Sequence, residues 1–471
     1  MRAERRLNRA YDILRSGAWL TRERARLVAV AILCVSAASI VFLLVTAHGL
    51  VDVQGRPLGT DFSSFYSAGT YVLEGSAEAP YDLARQHARE QALFGAATPF
   101  YSWFYPPFFL FFTAALALLP YGAALVVWQA VTLLLYLLSI RTIMTSSFRG
   151  ARSASPESIT PDIKGSTTET AFRASWLWIP DSRGAGHRAG HFGPGPLAAS
   201  GMTYDWLLVA VAFPAVLVNI GHGQNGFLTA ALLGGALAML DRRPIVAGLL
   251  FGLLAYKPQF GLMIPLVLAA SGRWRSFAAA AATIAILAVA ATAAFGPHVW
   301  RAFFDSTHFM RTVVLEQGDP GWYKMQSLFA WARMWGVPIP LAYALQGTMV
   351  AGLGAILIWL WRSDTAYLIK AAALCLATIL ATPFAFDYDM MVLAPAIAFF
   401  AADGMSRGFG PWEKTALAAL WLMPLVARSV AQMTLIPLGV PAMLVVFILL
   451  LRRSTFHFAW PVAFSGTFLL K

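Results

Sequence analysis

Lys257 is the one charge in the stretch 244–270, otherwise an uninterrupted run of apolar and small residues broken by Tyr256-Lys257-Pro258-Gln259. A lysine near the middle of a membrane span costs about 2.5–3.5 kcal/mol on insertion scales, so it either has a partner or a task, or it snorkels to an interface. Two carboxylates stand two apart in Phe386-Asp387-Tyr388-Asp389. Carboxylate oxygens can hold a divalent metal, but a pair alone is a weak ligand set, and helix capping or sugar contacts fit Asp387 and Asp389 better. Gly221-His222-Gly223-Gln224-Asn225-Gly226 lies between two apolar segments. It reads either as a glycine-rich turn with Asn225 capping the next helix, or as a set of amides and an imidazole suited to sugar hydroxyls. Asp61, in Gly59-Thr60-Asp61-Phe62-Ser63-Ser64-Phe65, is placed to cap a helix beginning at Phe62. Residues 298–311 add His298, Arg301, Asp305, His308 and Arg311. Most of these are expected to be solvated loop charges, with one or two free to meet a lipid phosphate.

The elements that must position these groups are membrane helices. Of 471 residues, 58% are hydrophobic and 12% charged, far below the roughly 25% charged content of a soluble domain. Residues 27–46 carry no charge at all, which is the ~20-residue length needed to cross the hydrocarbon core. A β-barrel would instead show alternating segments of about 10 residues, and the apolar blocks here do not alternate. The fold class is therefore an all-α polytopic integral membrane protein, expected to hold about 10–13 transmembrane helices. Residues 1–26 contain eight arginines, which by the positive-inside rule place the N-terminus in the cytoplasm. The apolar run that follows is too long for a cleaved signal peptide.

Residues 50–105 form an acidic, aromatic-rich first outer loop, with short helices expected to lie on the membrane surface. Basic connections near 242–243, 273–275, 362, 407–414 and 452–453 read as cytoplasmic. Segments 221–225, 297–324, 386–389 and 428–437 then read as extracytoplasmic. Two regions break this alternation, 106–144 and 244–270. Broken or re-entrant helices at Tyr105-Pro106-Pro107 and Tyr256-Lys257-Pro258 would reconcile them, because proline removes a backbone donor. The membrane domain thus spans 27–453. Within it, 145–203 changes to Ser, Thr, Gly and Pro and reads as a disordered cytoplasmic insert, and 454–471 is a tail of uncertain character. His187 and His191 in that insert have a metal-ligand spacing, but the surrounding glycines argue against the helix it requires. Cys34 and Cys375 both sit in apolar blocks and offer neither a disulfide framework nor a thiolate site. The formal net charge of +12 is mostly an orientation signal, so nucleic acid is not an expected partner; membrane lipids are.

The ordered motifs Asp61-Phe62 through Gly69, Pro80-Tyr81-Asp82, Tyr105-Pro106-Pro107, Gly223-Gln224-Asn225, Arg243-Pro244 with Gly248 and Gly252, Lys257-Pro258-Gln259 and Gly272-Arg273-Trp274-Arg275 together resemble glycosyltransferase family 87. That is a bacterial group within the GT-C class of integral membrane glycosyltransferases. The resemblance implies transfer of a hexose, often mannose, from a polyprenyl-phosphate donor to a lipid or glycan acceptor. It implies an inner-membrane location with the active site on the extracytoplasmic face. Asp61 matches the aspartate that acts as base in the first outer loop, giving an inverting displacement. The leaving phosphate needs cations, and Lys257, then His308 or Arg311, are the candidates. Tyr105, His222, Gln224, Asn225, Gln259, Asp387 and Asp389 are expected to contact sugar or acceptor. No metal or other cofactor is expected, Asp387 and Asp389 being the one place a divalent cation could sit.

Two other function classes fit parts of the pattern. A transporter or flippase for a lipid-linked sugar would also use broken helices and an intramembrane lysine, but should show repeat symmetry and midplane charges. Here no internal repeat is evident, and the polar candidates fall toward one face. A non-catalytic subunit of an envelope-assembly complex would tolerate alanine at Asp61, Lys257 and Gln224 alike.

Overall fold

A computed structural model describes residues 2–153 and 205–455; the proposed insert beyond 153, with His187 and His191, and nearly all of the tail lie outside the described residues. All regular structure among them is helical. Among the described residues, six helices are long and apolar enough to cross a membrane. They are α2 (Arg22–Thr46), the first part of α6 (Tyr121–Ser153), α12 (Trp274–Phe295), α15 (Ile339–Arg362), a 3-10 turn joined to α17 (Leu393–Arg407), and α18 (Glu413–Thr434). A seventh span is the pair α7 (Asp205–Val211) and α8 (Pro214–His222), bent by 46°. Proline at the first position of α8 removes the N–H that would have continued α7.

The remaining apolar helices are shorter, so the expected 10–13 crossings resolve into fewer full-length helices plus interrupted ones. Both breaks expected at prolines are present. Pro107–Phe109 forms a 3-10 turn leading into α5 (Leu110–Ala117), and two 3-10 turns, Leu254–Tyr256 and Pro258–Phe260, separate α10 (Pro244–Leu253) from α11 (Met263–Ala270). The latter pair forms a re-entrant hairpin. Its two ends leave on the same side, where Arg273 pairs with Asp241, so Lys257 is its tip. Gly248 and Gly252, four apart, let α10 approach α12: a Cβ on either would come within 2.5 Å of Ser276 O or of Thr283 Cβ. Close backbone approach through paired small residues is how helices pack where lipid offers no hydrophobic drive.

Charges segregate to two ends. At one, Arg22 and Arg26 hold Asp205, Trp412 N–H donates to Arg15 O at 2.7 Å, and Arg453 bridges Asp403 and Glu413. The basic connections read from the sequence as one side thus touch one another. At the other end lie α3 (Phe62–Leu73), α4 (Leu83–Phe94), α13 (His298–Phe309) and the π-helical Met310–Gln317, with Glu78 facing His298 at 3.6 Å. Two boundaries differ from the sequence reading. Helix α6 runs on to Ser153, past the expected edge of the insert. Helix α18 runs to Thr434, so Arg428 belongs to a span rather than a connection. Asp387–Val392, read from the sequence as the start of a span, is a buried 3-10 turn that leads into α17. Helix α3 packs against the bundle, with Phe62 and Phe65 fully enclosed.

Helix lengths set the depth of the centre. From the basic end, α9 (Gly226–Met239) has 14 residues and α16 (Tyr367–Ala381) has 15, reaching about 21–23 Å at 1.5 Å per residue. The α10 arm with its 3-10 turn reaches about the same distance. A hydrocarbon core is about 30 Å thick. The chain ends of these elements, Asn225, Lys257 and the 386–389 turn, therefore meet at a polar floor short of a full hydrocarbon thickness from the basic end.

Candidate active site

Asp61 occupies the position before α3, yet its side chain makes no capping bond. The first helical N–H groups are satisfied by a tight turn instead: Phe62, Ser63 and Ser64 donate to the carbonyls of Gly59, Thr60 and Asp61. The carboxylate is thus released from the capping role expected of it. One oxygen, Oδ2, accepts from Gln224 Nε2 at 3.0 Å. The other, Oδ1, stands 4.0 Å from His222 Nδ1, and the side chain is 25% exposed. His222 Nδ1 lies 2.9 Å from Thr60 Oγ1.

Gly223 brings these groups together. It ends α8 with φ +62, and a Cβ there would stand 2.5 Å from Phe62 Cβ, so the turn after α8 sits directly on the start of α3. Left-handed backbone at a helix C-terminus is glycine's role. Trp128 Nε1 donates to Gly223 O at 3.0 Å and fixes the turn from α6.

Beneath Asp61 the network continues inward. Gln224 Oε1 accepts from Asn225 N–H at 3.0 Å and from Tyr105 O–H at 3.3 Å. Asn225 Nδ2 donates to Tyr105 Oη at 2.8 Å. Asn225 does not cap α9, as the sequence suggested; Asn219 Oδ1 takes the Gly226 N–H at 2.8 Å. Tyr256 O–H reaches Asn225 O at 3.2 Å. A chain of amides and phenols therefore runs from the Asp61 carboxylate to the hairpin tip, each member orienting the next.

Lys257 donates to Asp389 Oδ1 at 2.5 Å with both side chains at most 5% exposed. Its ammonium also faces the rings of Tyr388 and Phe260 at 5.0 and 5.6 Å. Asp387 instead meets Arg428, Nη1 to Oδ2 3.3 Å. The two carboxylates are thus committed to different cations. Gln259 is half-buried beside the pair, with no hydrogen bond to the network among the described residues. His308 and Arg311 are exposed, and Arg311 faces Glu316 at 3.7 Å; neither joins the cluster.

Loop 1 supports the start of α3, where Asp61 stands. Gln86 on α4 donates to Ser64 O at 3.2 Å, and Glu90 accepts from Tyr101 N–H at 3.0 Å. Burial pushes the Glu90 carboxyl up to about 8, opposed by bonds from Tyr101 N–H and Gln86 and assisted by the negative charge of Asp61. The sequence reading did not single out Glu90, Thr60, Arg56, Tyr388 or Arg428. Arg428 was detectable as a charge inside an apolar span, had the helix been extended past it.

A polytopic helical membrane protein with a carboxylate-headed polar network sunk beneath one face is the class that fold and site define. Residues 103–383, more than half of the chain, match glycosyltransferase family 87. The chain belongs to that family and is a membrane glycosyltransferase. The match includes Tyr105, His222, Gln224, Asn225, Lys257, Gln259, His308 and Arg311, and stops short of Asp61, Asp387 and Asp389. No match to a curated protein or to a solved structure was found.

Proposed function

We propose that the protein transfers a hexose, mannose in the first instance, from a polyprenyl-phosphate donor to a lipid or glycan acceptor, with inversion, at the extracytoplasmic face of a bacterial inner membrane. The observation carrying this is the state of Asp61. Its carboxylate is freed from capping, held by Gln224 through one oxygen, and left with the other oxygen 4.0 Å from His222 on a side chain 25% exposed. A base needs such an oxygen within hydrogen-bond reach of the hydroxyl it serves. Asp61 Oδ1 would take the acceptor proton as that oxygen bonds to the anomeric carbon. The bond from that carbon to the phosphate oxygen breaks, and the electron pair leaves with the lipid phosphate. His222 offers a donor and an acceptor for sugar hydroxyls beside the path, while Gln224, Asn225 and Tyr105 beneath it hold the Asp61 carboxylate in place.

The orientation supports a lipid-linked donor. Basic residues gather at the far end, which the positive-inside rule assigns to the cytoplasm, so Asp61 faces away from nucleotide sugars. The leaving phosphate gathers negative charge and needs donors. Lys257 lies below this region with its charge engaged by Asp389, so it sets the floor's electrostatics, and phosphate contact falls to cations nearer Asp61. Membranes containing the protein should move radiolabelled mannose from polyprenyl-phosphate mannose to a lipid-extractable or glycan product, and not from a nucleotide-linked mannose. Transfer from the nucleotide sugar alone would overturn the donor assignment.

A further inference from the structure

A cavity of about 400 Å³ opens beside His222 and Thr60, next to Asp61 but separate from the amide network beneath it. That volume lies within the ~300–1,000 Å³ range of small-molecule sites. Its lining is divided. Arg56, Arg428 and His222, with the paired carboxylates Asp52 and Asp387, form the polar part, and Leu43, Leu217 and Leu425 the aliphatic part. Leu43 belongs to α2, which is almost entirely lipid-facing, and Leu425 is 57% exposed on α18, so the aliphatic part lies toward the hydrocarbon.

The two arginines are held but not consumed. Asp52 accepts Gln54 N–H and Arg56 N–H through Oδ1, each at 2.9 Å, and Arg56 Nε through Oδ2 at 3.2 Å. Both terminal nitrogens of Arg56 are left without a hydrogen-bond partner among the described residues, on a side chain 43% exposed. Asp387 takes only Nη1 of Arg428, which is 41% exposed and faces the Tyr323 ring at 5.8 Å, leaving Nη2 and Nε without a hydrogen-bond partner among the described residues. Arg428 is 15 residues along α18 from Glu413 at the basic end, or about 22 Å, so it stands at the depth of the polar floor. An arginine at that depth is costly unless it serves a function. Guanidinium edges pre-aimed by a carboxylate match the geometry of phosphate oxygens better than a flexible ammonium does.

We infer that Arg56 and Arg428 form the seat for the phosphate head of a lipid whose chain leaves the cavity along Leu43 and Leu425 into the membrane between α2 and α18. The inference rests on the glycosyl-transfer reading of the neighbouring carboxylate. The phosphate lipid has two possible sources, the polyprenyl donor and a glycerophospholipid acceptor. Placed against His222, its head would lie beside Asp61, where sugar and acceptor must meet.

The test is equilibrium binding to the purified full-length protein in neutral detergent, followed by tryptophan fluorescence. The probes are farnesyl phosphate, farnesol and dioctanoyl phosphatidic acid. Arg56→Gln and Arg428→Gln should each weaken phosphate-lipid binding about ten- to hundred-fold, the loss expected for a charge-assisted hydrogen bond, and farnesol should bind wild type more weakly than its phosphate by at least that factor. A loss confined to farnesyl phosphate assigns the seat to the donor, and one confined to phosphatidic acid assigns it to the acceptor; both support the site. Wild-type affinity for both phosphate lipids in both variants would overturn it, as would equal binding of farnesol and farnesyl phosphate. Arg56→Gln lies in a surface turn, so it keeps the test open if Arg428→Gln fails to fold. Binding in the Asp61→Asn protein should match wild type, so loss of transfer with binding intact counts against the catalytic reading alone.

Discussion

Removing Asp389 should destabilise the protein more than removing Lys257, and removing both should cost less than the sum. The two groups meet at 2.5 Å with side chains 5% and 2% exposed, so neither recovers water when its partner goes. Breaking a buried pair by deleting one member costs about 3–5 kcal/mol, largely because the survivor is left uncompensated. The survivors are unequal here. After Lys257→Met, Asp389 keeps the Phe386 N–H at 3.1 Å. After Asp389→Ala, Lys257 keeps only ring faces at 5.0 Å and beyond, worth about 1–2 kcal/mol. Asp389→Ala is therefore expected near the top of that range, about 4–5 kcal/mol, and Lys257→Met near its lower end, about 3 kcal/mol. The double variant should be more stable than additivity by at least about 2 kcal/mol, since it removes both stranded charges. Reversible denaturation in mixed micelles, as a double-mutant cycle, measures this. Single costs below about 1 kcal/mol with full additivity would refute the buried pair as the lock of the hairpin tip.

Further outcomes follow from the same geometry. The Glu90 carboxyl is pushed up to about 8 from an ordinary 4.5, so the folded protein holds a proton the unfolded chain has lost; that contribution is complete below pH 4.5 and vanishes as pH rises through about 8. Thermal midpoints should fall over that window in wild type and stay flatter in Glu90→Gln; the same pH dependence in both would count against it. Tyr105→Phe removes the phenol linking Gln224 and Asn225 and strands a buried amide donor, so it should cost about 1–3 kcal/mol of stability and lower kcat in initial-rate assays; an unaltered kcat would remove Tyr105 from the network. Activity should survive chelation, because Asp387 and Asp389 are each engaged by a basic side chain; abolition by chelator with rescue by a divalent ion would promote those two residues to ligands.

What the chain made readable is uneven. Apolar blocks disclosed the class, and prolines at 106–107 and 258 located both breaks, since a missing N–H acts locally. Partnerships were not readable: Asp61 and Gln224 are 163 residues apart, Lys257 and Asp389 are 132 apart, and only the convergence of three short helices joins them. Asp61 looked like a cap because its residue type and position suit one, but the tight turn at 59–64 had already supplied the helix's acceptors. Arg428 looked like a loop residue because a charge near a span's end is usually solvated; α18 carries it two further turns. Asn225 likewise left its expected cap to Asn219, seven residues before Gly226.

The central claim is that Asp61 removes the acceptor proton. Single-turnover transfer of labelled mannose from polyprenyl-phosphate mannose, in wild type and Asp61→Asn with donor binding measured alongside, tests it most directly. General-base loss predicts a fall of about 10²–10⁴ in rate with donor affinity within about threefold of wild type. A rate within about twofold of wild type would contradict it, and the base would have to be sought elsewhere in the site.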